Sequence, residues 1–369
     1  MADRAWDTVR TQCDQNVVGN APTAERPSSR LSQPVSGKGM SYARAVFSKR
    51  TKAYPMFHKR GLRSATPGSF VAVPWLILLA TIVPPGAQAA SAGGALKVYI
   101  SVDMEGVAGV VTGDQLSPAG FEYQRFRKFM TDEAVAAVKG AKAAGATEVV
   151  VADSHGNGES LLIEEFPADV QIVRSWPRHG AMMGGLDGSF AAVVFVGYHA
   201  STTNSQGVRA HTISSAHFTR VALNGTPVTE AEFNAAYAGA LGVPVVFMSG
   251  DDAAVAEVSS RLGRLESVVT KTSLGFHSAQ TTTPALACER IYQGVTKAVT
   301  QRDQRRPYVL AAPITLDVSF KNYQPAEILS YLHTITRTDS HSIRFVGRNM
   351  KEVSDFMDFL DYYNPDAAP

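Results

Sequence analysis

Cysteine is almost missing from this chain: Cys13 and Cys288 are the two thiols in 369 residues. That scarcity excludes a disulfide-stapled scaffold and leaves too few sulfurs for a thiolate metal site. Internal repeats and low-complexity tracts are also missing outside the N-terminal segment, which excludes solenoid and collagen-like architectures. Charged residues make up 18% and hydrophobic residues 45%, the balance of an ordinary globular protein. A basic excess is missing too, once the N-terminal segment is set aside. Residues 1–89 carry 12 Lys and Arg against 4 Asp and Glu, so residues 90–369 carry 23 against 29, a formal charge of −6. The pI of 8.4 belongs to the leader and gives no argument for nucleic-acid binding.

Within the leader, Lys59, Arg60 and Arg63 precede the apolar run Phe70 to Val83, followed by Pro84-Pro85-Gly86 and Ala87-Gln88-Ala89. A basic start, an apolar centre of that length and a small-x-small step form the layout of a secretory signal, and the run is short for a membrane span. The expectation is export to the periplasm or the extracellular space, with cleavage after Ala89 and no stable membrane association afterwards. An uncleaved anchor helix is the other reading. Residues 1–55 lie far upstream of an ordinary signal, and both Met40 and Met56 suit as starts. The 280 residues after Ala89 are ample for a large core.

The mature chain opens on Lys97-Val98-Tyr99-Ile100-Ser101-Val102-Asp103-Met104-Glu105-Gly106, a β-rich run that ends in Asp-x-Glu-Gly. Such a strand delivers two carboxylates to the carboxyl edge of a sheet, where open α/β sheets keep their sites. Alone, an Asp-x-Glu pair is better explained by an acidic loop in solvent. Tyr123, Phe126, Met130, Ala134, Ala137 and Ala141 then recur at helical spacing over 122–144, and Glu148 to Ala152 reads as the next parallel strand. That strand ends in Asp153-Ser154-His155-Gly156. A third strand is expected over 170–175, and a short helix or turn over 178–186.

The apolar strand Ala191 to Gly197 ends in Tyr198-His199-Ala200. Arg209-Ala210-His211-Thr212 follows, then a hairpin over 221–228 with an Asn224-Gly225 turn, and a helix over 230–241 with Thr229 as its N-cap. A strand over 244–250 ends in Asp251-Asp252, with a helix over 253–262 after it. The rest reads as strands over 267–271, 308–320 and 342–346 with helices over 283–300, 325–333 and 351–360. That tail is expected to carry little chemistry, with His277, His333 and His341 structural or at the surface. The fold class is α/β, a mostly parallel sheet flanked by helices with a second, smaller α/β portion on the C-terminal side. The expected division is a leader over 1–89, an α/β metal-site domain over 90–242 and a C-terminal portion over 243–369.

Asp103, Glu105, His155, His199 and Glu230 gather where strands end, with His211 nearby in sequence. Two histidines and three carboxylates suit zinc or another first-row divalent ion better than an all-oxygen calcium or magnesium cage. Five donors exceed what one tetrahedral catalytic zinc uses, whereas two ions bridged by one carboxylate would use them all. Asp103, first at the end of the opening strand, is the natural bridge.

These residues resemble the zinc-dependent D-aminopeptidases of the dipeptide-transport operon type. The likeness runs from about Lys97 to about residue 300. It rests on Ser101 to Gly106, Asp153 to Gly156, Gly197 to Ala200, His211-Thr212, Asn224-Gly225 with Glu230 and Asn234, and Gly250-Asp251-Asp252. It implies a two-zinc centre on Asp103, Glu105, His155, His199 and Glu230, a catalytic His211, and self-compartmentalising rings of many subunits. It also implies removal of the N-terminal residue from short peptides, with a preference for D-residues such as D-alanine. Thr229-Glu230-Ala231-Glu232 departs from the family, which often has glycine at the first and fourth of these positions, and leaves Glu230 and Glu232 as rival carboxylates. Two other readings stay open at this stage. A metal-dependent phosphoesterase would share the donors, although Arg209 alone is thin for holding a phosphate. A non-catalytic exported protein that binds metal or peptide would have no use for His211.

Overall fold

The computed structural model describes residues 95–364. The expected signal sequence, cleavage site and alternative starts lie outside the described residues.

The chain builds β1 (Lys97–Val102), α1 (Tyr123–Ala143), β2 (Glu148–Asp153), β3 (Gln171–Val173) and β4 (Ala192–Tyr198). It continues with β5 (Phe218–Leu223), β6 (Thr226–Pro227), α2 (Glu230–Ala240), β7 (Val245–Asp251) and α3 (Asp252–Leu262). It finishes with β8 (Glu266–Gly275), β9 (Ser278–Thr281), α4 (Pro284–Thr300), β10 (Ile314–Phe320), α5 (Tyr323–Leu329), β11 (Ile335–Asp339), β12 (Ser342–Gly347) and α6 (Met350–Tyr362). One sheet has the order β3-β2-β1-β4-β7-β8-β9, parallel throughout except for the β8–β9 hairpin. The other, β11-β12-β10-β5-β6, is wholly antiparallel.

Alternation along β1 sets the layers. Val98, Ile100 and Val102 pack into a core with α1 and α4, while Tyr99 enters a second core with α2, α3, α6 and the antiparallel sheet. With both faces covered, the parallel strands read as unbroken apolar runs, which is why β4 is buried at every position. The expected helices over 122–144, 230–241, 253–262, 283–300 and 351–360 form within a residue or two of those limits. Thr229 caps α2 by accepting from the Glu232 amide, and Asn224 and Gly225 make the tight turn at φ 47 and 79.

The structure differs in four places. The strand expected over 308–320 begins at Ile314, because Pro307 and Pro313 remove ladder donors. The strand over 267–271 is the middle of a longer β8 that turns back as β9, and β11 forms where no strand was expected. β11 is exposed at four of its five positions, so it lacks the apolar alternation that marks a strand. The helix expected over 325–333 is displaced to Tyr323–Leu329. Both sheets take strands from either side of residue 242, so a division there follows chain order and not packing.

Candidate metal centre

Four parallel strands end at one edge, and each end is followed by a polar residue that turns inward. β1 runs into Asp103 and Glu105, β2 into Ser154 and His155, β4 into His199, and β7 into Asp251. Crowding at this edge dictates glycine. A Cβ on Gly106 would lie 2.0 Å from the Tyr198 carbonyl oxygen, and one on Gly197, at φ 72, would lie 2.2 Å from that of Asp103. The strand ends are thereby drawn close enough for their side chains to meet.

Asp103, Glu105, His155, His199 and Glu230 are all buried, each less than 8% exposed, which no solvent-facing cap would be. His155 Nδ1 lies 2.9 Å from Glu105 Oε2 and 3.3 Å from Asp103 Oδ1. His199 Nε2 lies 3.3 Å from both Asp103 Oδ2 and Glu230 Oε2. His211 stacks on His199 with ring centres 4.1 Å apart and brings Nε2 to 3.7 Å from Glu230 Oε1. Asp103, Glu105 and His199 offer donor atoms within 4.8 Å of one another, as do His199, His211 and Glu230. Asp103 touches both ends of the cluster, His155 through Oδ1 and His199 through Oδ2. Of the rival carboxylates, Glu230 enters the site, whereas Glu232 closes the capping box on Thr229 and pairs with Arg261.

Each histidine is locked in one tautomer by a backbone carbonyl. His155 donates from Nε2 to Leu116 at 2.9 Å, His199 from Nδ1 to Ala200 at 3.0 Å, and His211 from Nδ1 to Arg209 at 2.9 Å. The other ring nitrogen of each is thus a lone pair aimed into the carboxylate cluster. Lone pairs facing carboxylate oxygens repel unless a proton or a cation lies between them. Burial, with Glu105 next to it, pushes Asp103 up to about 8. Burial alone would lower the two histidines, but Glu105 beside His155 and Glu230 beside His199 outweigh it and hold both well above the ordinary value. The metal-free cluster therefore keeps protons that a metal would displace. Asp103 Oδ2 and His199 Nε2 are buried without a hydrogen-bond partner, as donors reserved for a cation would be. The residues fit a divalent metal.

The D-aminopeptidase family profile matches residues 96–359. The chain belongs to the D-aminopeptidase family. A D-aminopeptidase of Bacillus subtilis strain 168 is 29% identical over 260 residues, which are 70% of this chain and 93% of that protein. Among solved structures, the Zn-dependent D-aminopeptidase DppA from Bacillus subtilis, described as a self-compartmentalizing protease, superposes with a TM-score of 0.69 at 27% identity. That match covers 72% of this chain and 96% of DppA.

In this D-aminopeptidase the cluster forms the floor of a cavity of about 440 Å³. Asp103, Glu105, His155, His211 and Glu230 line it, and Asp358, Asp361 and Tyr362 of α6 line it as well. The C-terminal helix thus reaches the site, contrary to the expectation that the tail is chemically bare. Its residues sit on an ordinary amphipathic helix and gave no signal of their own.

A second group that the sequence did not reveal supports Glu105 from behind. Lys271, 1% exposed on β8, donates Nζ to the carbonyls of Glu105, Val107 and Val110 at 2.5, 2.7 and 2.8 Å. Glu133 of α1, fully buried, accepts from the Ala108 amide at 2.9 Å. Burial pushes Lys271 down to about 8 and Glu133 up to about 7. The loop that carries Glu105 is therefore tied to both β8 and α1. The one sequence signal was a lysine within the strand pattern Val268-Val269-Thr270-Lys271, which reads equally as an exposed position.

Proposed function

We propose that this chain is a zinc-dependent aminopeptidase that removes the N-terminal residue from short peptides, with a preference for D-residues. Family membership supports the reaction, and the name of DppA supports zinc. The observation that carries the reading is the convergence of five buried donors on one point, with every histidine tautomer fixed to leave a lone pair there. Two zinc ions would be held by Asp103, Glu105, His155, His199 and Glu230, with Asp103 shared between them. Bound zinc supplies Lewis acidity toward the scissile carbonyl and lowers the pKa of water.

The protein's own share falls to His211. Burial and the neighbouring His199 hold its ring below the ordinary histidine value, so it is neutral near pH 7. With Nδ1–H committed to the Arg209 carbonyl, Nε2 carries a lone pair. That state suits taking a proton from the attacking water and delivering it to the leaving amine, rather than donating to an oxyanion. Glu230, 3.7 Å away, orients the ring and favours the protonated intermediate state.

Self-compartmentalisation in DppA supports a homo-oligomer here, and a ring is the form we propose. The leader sequence supports an exported enzyme. Incubating purified residues 90–369 and zinc with D- and L-aminoacyl peptides and a phosphate ester tests the reading. Cleavage of D-aminoacyl peptides, an inert ester and two zinc ions per chain by native mass spectrometry are the expected results. Hydrolysis of the ester alone, or of no substrate, would overturn it.

A further inference from the structure

Arg209 lines the cavity, and neither the metal cluster nor His211 makes use of its side chain. The cavity lining is rich in carboxylates, and among the described residues that line it Arg209 is the only Arg or Lys. Its position is built into the loop. The backbone sits at φ 55, in the left-handed region that a non-glycine residue occupies at a cost. Two hydrogen bonds hold it there: the amide donates to the Phe276 carbonyl at 3.0 Å, and the carbonyl accepts from His211 Nδ1 at 2.9 Å. The guanidinium lies over the Phe276 ring, 5.0 Å from its centre, with Nη1 3.4 Å from His277 Nδ1. Nε is buried and has no hydrogen-bond partner, and among the described residues no carboxylate pairs with the guanidinium.

An arginine beside several carboxylates would ordinarily pair with one of them. This one is held away on an aromatic ring, with Nη1 against His277 and Nε without a hydrogen-bond partner, at the edge of a site for peptides. A fixed guanidinium fork matches a carboxylate in shape and charge, and a free peptide carries one at its C-terminus. In a dipeptide that carboxylate lies one residue, at most about 3.5 Å of chain, beyond the scissile bond. Arg209 stands two residues before His211 and grips that ring through its own carbonyl, so the cation and the proton carrier are set by one short loop. We propose that Arg209 binds the C-terminal carboxylate of the substrate and makes the enzyme selective for dipeptides with a free terminus. This rests on the aminopeptidase reading above.

The test compares D-alanylglycine with its C-terminal amide on the zinc-loaded enzyme and on its Arg209→Met and Arg209→Lys variants. The wild type should favour the free acid by about 10–100-fold in kcat/KM, the range of a charge-assisted hydrogen bond, and the difference should lie mainly in KM. Arg209→Met should bring the ratio close to one, and Arg209→Lys should keep part of it. No preference in the wild type, a preference that survives in Arg209→Met, or an equal loss on both substrates would each overturn the proposal. Calorimetric Kd values for the two ligands read the same ratio. If neither peptide is cleaved, the aminopeptidase reading fails, and the Kd ratio still decides whether Arg209 holds the carboxylate.

Discussion

Asp103 and His211 both contact His199 and do different work, which substitution should separate. Asp103 reaches His155 through one oxygen and His199 through the other, so both halves of the cluster depend on it. Asp103→Ala should lose zinc and activity together, as read by metal analysis of the purified protein beside a peptide assay. His211 contacts the cluster through Glu230 at 3.7 Å and through its stack on His199. His211→Ala should lower kcat by about 10²–10⁴ while zinc content stays at the wild-type level. Full turnover in that variant, or loss of its zinc, would show that His211 is a ligand or a bystander. The residue types of the cluster were legible in the sequence because Asp103, Glu105, His155 and His199 each follow a strand of clear apolar pattern and Glu230 opens a capped helix. What was not legible was which nitrogen each histidine presents, since that choice belongs to the carbonyls of Leu116, Ala200 and Arg209.

Strand ends fix the site only if the loops after them hold still. Met104, Val107 and Val110 anchor the loop after β1 in the core, and Lys271 reaches across from β8 to three of the loop's carbonyls. Lys271→Met keeps the length of the side chain and removes the donors. Zinc affinity should fall about 10–100-fold, the range found when a group that orients a ligand is removed. A buried carbonyl left without a partner also costs about 1–3 kcal/mol, so the melting temperature should fall as well. Val318→Ala, in the core of the antiparallel sheet, separates the two effects. It should lower the melting temperature and leave zinc affinity unchanged. If Lys271→Met behaves like Val318→Ala, the lysine supports the fold and not the site. This link was hidden for a physical reason. Lys271 and Glu105 are 166 residues apart, and a lysine in a strand is normally solvated, so periodicity alone could not place it indoors. The β1, β2, β4 and β7 strands were legible because a two-sided sheet demands continuous apolar runs, whereas β11, exposed and polar, left no such trace.

Two apolar cores on opposite faces of one parallel sheet make a fold that does not depend on its metal, unlike small metal-nucleated domains. Chelated protein should keep its far-UV circular dichroism and melt cooperatively, and zinc should raise the melting temperature in proportion to its affinity. The size of that rise should depend on pH, and the sign follows from the cluster. Asp103, His155 and His199 all have folded-state pKa values above their ordinary ones. Such groups add stability while protonated, below their unfolded pKa values, and lose it as pH climbs through the folded ones. Glu105 is the opposite case: burial raises it, but His155 and the other two histidines outweigh this and hold it low, so its contribution is lost only in acid. Between about pH 6 and about pH 8 the raised groups govern, with Asp103 at about 8 closing the window; above it Lys271, pushed down to about 8, acts in the opposite sense. Chelated protein should therefore melt at progressively lower temperature across this range. Zinc, which binds the deprotonated donors, should recover a larger increment at each step. A chelated protein that grows more stable from pH 6 to pH 8 would mean that the carboxylates and histidines are not sharing protons, and with that the case for a cation at their centre would fall.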